Sequence, residues 1–133
     1  MRAVQFIKIA AVALAGLAYS AGAGWAFEEK PFEADAFQAT QAAGKPILVD
    51  VFAPWCPVCK AQLAVLGTLT QNPKYDKLTV FKVDFDHQPD VLKSFNVRQQ
   101  STLIAFKGAM ETARSVGDTK APSIEALINT TLQ

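Results

Sequence analysis

Cysteine occurs only twice in this 133-residue chain, at Cys56 and Cys59, and histidine only once, at His87. Three such side chains cannot supply the four nitrogen and sulfur ligands of a structural zinc site within one chain. No run of lysine and arginine occurs and the formal net charge is +1, so nothing points to nucleic acid as a partner. Repeats, Gly/Ser-rich linkers and low-complexity segments are absent too, which leaves room for a single compact domain.

The N-terminus should be set aside before the fold is read. Arg2 and Lys8 precede an uncharged apolar stretch at residues 9–18, and small residues follow. Ala21-Gly22-Ala23 and Gly24-Trp25-Ala26 are both possible cleavage sites. This is the pattern of a secretory signal peptide over residues 1–23, with an uncleaved membrane anchor to about residue 26 as the alternative. Removing the first 23 residues takes away two cations and no acid, so the remainder stays near neutral. Its length suffices for one core. Export, to the periplasm or beyond, would put the two cysteines in an oxidising compartment.

Those cysteines lie in Trp55-Cys56-Pro57-Val58-Cys59-Lys60. Before them, Pro46-Ile47-Leu48-Val49-Asp50-Val51-Phe52 is short, apolar and β-branched, as a buried parallel strand is, with one carboxylate inside it. After them, Leu63, Leu66 and Leu69 follow helical spacing. The cysteines therefore open a helix, where free amides and the positive dipole end favour a thiolate. An exposed Cys56 there is expected to be an acidic nucleophile, and Cys59 to resolve the mixed disulfide. A structural staple is the other use of such a pair, but a four-residue loop gains only about 2 kcal/mol of chain entropy.

Along the rest of the chain, residues 32–43 read as an amphipathic helix with Phe32, Ala36 and Phe37 on one side, ended by Gly44. Strands are expected at residues 78–84 and 102–106, with a short helix over 90–95 between them. Lys107-Gly108-Ala109 makes a tight turn into an antiparallel strand at 110–116. Ile124, Leu127, Ile128 and Leu132 mark a closing helix. This order gives an α/β fold, a mixed central sheet of about four strands with helices on both faces.

Together these residues resemble the thioredoxin family, over about residues 32–131. Gly44 to Lys60 carries the densest likeness, Phe81-Lys82-Val83-Asp84 looks like the second central strand, and Val116-Gly117 like the glycine near the substrate surface. The resemblance implies a thioredoxin fold for residues 27–133 and thiol–disulfide exchange through a Cys56–Cys59 disulfide. It makes Asp50 the general base for Cys59, or else a structural polar group, and Lys82 its partner, or else an ordinary surface lysine. Trp55, Pro57, Gln100, Ser101, Thr102 and Gly117 would meet the substrate. No cofactor is implied. Protein disulfides or dithiols are the expected partners, with a membrane thiol-transfer protein recharging a monomer.

Two departures from the family stand out. Pro57-Val58 replaces the usual Gly-Pro or Pro-His dipeptide, so no histidine stabilises the thiolate and the tilt is towards a reductase or electron carrier. Ser101 stands where the family has a cis proline. A cis bond before a residue other than proline costs about 2.5–4 kcal/mol, so a trans bond and a reshaped loop are expected. The serine hydroxyl could face the Cys56 thiolate or bond its own loop. The missing proline also motivates a second reading, a binding module in which two subunits share a metal ion or iron–sulfur cluster through four cysteines. A non-catalytic scaffold is a third.

Overall fold

The computed structural model describes residues 27–69 and 71–133. The leader expected at residues 1–23, with its alternative as an anchor to about 26, lies outside the described residues. The elements run β1 (Glu28–Pro31), α1 (Ala34–Ala42), β2 (Pro46–Phe52), α2 (Pro57–Leu69), β3 (Thr79–Asp84), α3 (Pro89–Ser94), β4 (Thr102–Lys107), β5 (Met110–Val116) and α4 (Ala121–Asn129). Single 3₁₀ turns occupy Pro73–Tyr75 and Thr130–Leu132.

The sheet has five strands in the order β1-β3-β2-β4-β5, not about four. β1 and β2 run parallel to β3, and β4 pairs antiparallel with β2 and β5. The additional strand is β1, whose Glu28-Glu29-Lys30 has no apolar alternation to betray it. It is an edge strand held by backbone pairing, and charged residues suit such an edge. The first helix is shorter than expected, because Phe32 precedes it: its amide bonds Lys82 O at 2.8 Å, and its ring still packs against Phe37.

Strand alternation sorts the core into two layers. Ile47, Val49 and Val51 of β2 point to the side of α1 and α3, where Phe32, Phe37, Phe81 and Phe106 gather. Leu48 points the other way, against Leu66 of α2 and Ile124, Leu127 and Ile128 of α4. Leu63 and Leu132, expected inside, are exposed; Gln62 and Thr131 hold the buried positions. The turn after β4 needs Gly108 in the left-handed region (φ +56°), and a Cβ there would meet Gln41 O at 3.3 Å.

Candidate active site at the start of α2

β2 delivers the chain to the disulfide, and α2 begins immediately after Cys56. Pro57 suits the first helical position, where its fixed φ fits and its missing N–H is no loss. Cys56 and Cys59 are joined, with Cα atoms 5.3 Å apart. The Cys59 amide donates to Cys56 Sγ at 3.1 Å, so a free donor of the helix start is aimed at that sulfur. Charge on Cys56 is favoured accordingly.

Exposure of Cys56 is not found in this disulfide form. Cys56 is 1% exposed and Cys59 8%, because Cys56 turns inward to pack with Ala53 and the edges of Phe52 and Phe85. The open surface beside the disulfide is made by its neighbours Trp55, Pro57 and Val58. Trp55 is 58% exposed and its indole N–H donates to Asp86 Oδ2 at 2.8 Å. Asp86 is on the loop after β3, and an acid in a polar loop carries no sequence signal of that role.

Asp50 lies between Leu48 and Phe52 on the face that carries α2, one alternation short of the residue packed against the disulfide. It is buried, and burial pushes its carboxyl from 3.8 up to about 6; Lys82 opposes the rise and Glu29 adds to it. Lys82 is in register with Asp50, its Nζ 3.9 Å from Asp50 Oδ2. It is half-buried. Nζ also lies 3.1 Å from Glu29 Oε1 and 4.6 Å from the centre of the Phe52 ring. A cleft of about 420 Å³, lined by Glu29, Pro31, Phe52, Lys82, Asp84 and Gln88 among others, opens this group to solvent. Glu29 carries no sequence signal of this role, since β1 has no apolar alternation.

The loop before β4 is trans throughout, as expected without proline, and Ser101 takes a left-handed conformation (φ +57°). Its N–H donates to Val51 O at 2.8 Å, and its carbonyl accepts from Gly117 N at 2.9 Å. The hydroxyl bonds its own loop, donating to Gln100 O at 2.6 Å. Ser101 and Thr102 are buried, with the Thr102 hydroxyl on Gln99 O, so neither side chain is presented to a substrate, against expectation. Gln100 is half-buried and Gly117 exposed. Gln62 of α2 reaches this loop from behind: Nε2 donates to Ser101 O at 3.1 Å and to Asp118 O at 2.9 Å. A glutamine one turn after Cys59 and one turn before Leu66, within the buried stripe, is the signal that could have found it. His87 lies apart, its Nδ1 2.9 Å from Asp84 Oδ2 on the surface.

Among known proteins, the Thioredoxin family profile matches residues 28–130. A thioredoxin of Alicyclobacillus acidocaldarius subsp. acidocaldarius is 33% identical over 97 residues, 73% of this chain and 91% of that protein. A thioredoxin of Chlamydia muridarum (strain MoPn / Nigg) is 40% identical over 83 residues, 62% of this chain and 79% of that protein. The crystal structure of Trxlp from Edwardsiella tarda EIB202 superposes with a TM-score of 0.74 at 44% identity, covering 76% of this chain and 98% of that one. With the paired cysteines at the head of α2 and this sheet beneath them, the chain belongs to the thioredoxin family of protein-disulfide oxidoreductases.

Proposed function

We propose that this protein is an exported thiol–disulfide oxidoreductase working as a reductase or electron carrier, with Cys56 as nucleophile, Cys59 as resolving thiol and Asp50 as base. The observation that carries the assignment is the Cys59 N–H aimed at Cys56 Sγ, which favours the thiolate on that sulfur. The Cys56 thiolate attacks one sulfur of a protein disulfide; that S–S bond breaks and the departing substrate thiolate takes a proton. Cys59 then yields its proton to the Asp50 carboxylate and attacks Cys56 Sγ, forming the Cys56–Cys59 bond and releasing the second substrate thiolate. Two electrons pass to the substrate, and a membrane thiol-transfer partner returns them through its own dithiol.

Export rests on the basic start and apolar stretch before residue 24. The reductive direction rests on the absence of a histidine between the cysteines. A Cys59→Ser protein should trap a mixed disulfide on Cys56 when mixed with a disulfide-bonded protein, and Cys56→Ser should trap none. Trapping by the Cys56→Ser protein instead would reverse the two roles.

A further inference from the structure

Gln62 is 1% exposed and occupies a position where packing alone asks only for an apolar residue of its size. Both donors of its amide are used, one on Ser101 O and one on Asp118 O. Two carbonyls can be served only by the nitrogen, so the orientation of the carboxamide is determined. Its oxygen, Oε1, is buried with no partner. A buried orphan acceptor is unfavourable, and an apolar side chain of the same shape would avoid it. The glutamine is therefore poorly explained as filler.

What it joins is specific. Ser101 O is also the acceptor for Gly117 N, and Asp118 follows directly, its carboxylate receiving the Lys120 amide and the Ser123 hydroxyl at the start of α4. One side chain thus fastens three segments together: α2, the loop before β4, and the end of β5. Of these, α2 carries the cysteines, and the loop before β4 is also tied to β2, the strand that leads to them, through the Ser101 N–H on Val51 O. The loop's central residue is a non-glycine in the left-handed region, a conformation that persists only when its surroundings hold it.

We propose that Gln62 is a positioning residue for substrate, pinning the Ser101 loop and the Gly117–Asp118 segment to the helix that bears the cysteines. This rests on the exchange reading above. The carboxamide, which does not titrate, then adds to the Ser101 N–H bond to Val51 O in fixing these segments against α2.

The test replaces Gln62 with Met, of similar volume, and with Glu, isosteric but without the two N–H donors. Both should raise KM for a disulfide-bonded protein about five- to tenfold, the loss of roughly one hydrogen bond's worth of fixed geometry, with kcat within about twofold. The KM change should be the same for Gln62→Met from pH 7 to 9, and the reduction potential should not move. Amide hydrogen exchange at Ser101 and Gly117 should accelerate. An unchanged KM, or a fall in kcat alone, in a variant that folds would overturn the assignment, whatever its melting temperature. Should neither variant fold, exchange of the Gln62 side-chain amide protons in the natural protein decides: slow exchange of both supports the clamp, and fast exchange refutes it. Failure of Cys59→Ser to trap any mixed disulfide defeats the exchange reading itself, whereas trapping with an unchanged KM defeats only the role of Gln62.

Discussion

Asp50 and Lys82 face each other across β2 and β3, yet their charged ends stand 3.9 Å apart while Glu29 holds the same ammonium at 3.1 Å. The lysine is thus shared, and the buried carboxylate receives the weaker half of it. Burial outweighs this attraction, which is why the Asp50 carboxyl rises to about 6 instead of falling as a well-paired aspartate does.

Stability should register that rise. The native state binds a proton on Asp50 below pH of about 6, whereas the unfolded chain releases it near 3.8. Stability therefore falls as pH climbs through that window and is level above it. Asp50→Asn should remove this slope and stabilise the protein at pH 7 by at most about 3 kcal/mol. Thermal melts of both proteins from pH 4 to pH 8 check it; parallel curves would show that Asp50 is not held protonated.

The same variant should slow turnover. Without a carboxylate to take the Cys59 proton, release of the mixed disulfide should drop by about 10²-fold or more, the usual scale of general base catalysis. Stopped-flow resolution of a preformed mixed disulfide reads this step alone. In the natural protein its rate should climb with pH through about 6.

Glu29→Gln should free Lys82 for Asp50 and remove a nearby negative charge. Both changes lower the Asp50 carboxyl, so the rising limb of the resolution rate should move to lower pH. An NMR titration of the Asp50 carboxyl carbon follows the shift directly. A limb that stays in place would mean that Lys82 does not respond to its competitor.

Proline at position 101, the residue the family resemblance leads one to expect there, should damage this protein. Ser101 has φ +57° and its N–H bonds Val51 O, and proline can satisfy neither requirement. We expect Ser101→Pro to lose about 2–3 kcal/mol in urea unfolding, from backbone misfit and the lost bond together. Ser101→Gly, free to take positive φ, should stay within about 1 kcal/mol of the parent.

How far the chain could be read differs from one residue to the next. β2, β4 and α4 announce themselves because their burial is apolar and periodic, and Cys56, Cys59 and Asp50 are conspicuous as rare or misplaced polar residues. β1 stayed hidden because its pairing is a backbone matter and its side chains are charged. The burial of Cys56 was not legible either, since exposure at a helix start depends on how the preceding Ala53-Pro54-Trp55 turn aims the sulfur. Gln62 was legible in principle as a polar break in the α2 stripe, but its two acceptors lie 39 and 56 residues away in sequence. Its meaning required the tertiary structure.

The reductive direction is most directly tested by the Cys56–Cys59 reduction potential, measured by equilibrating the protein against glutathione and dithiothreitol buffers. With no histidine between the cysteines to stabilise the thiolate further, the expected value is close to that of thioredoxins, about −270 mV. A value near about −120 mV, the range of strong periplasmic oxidants, would contradict it.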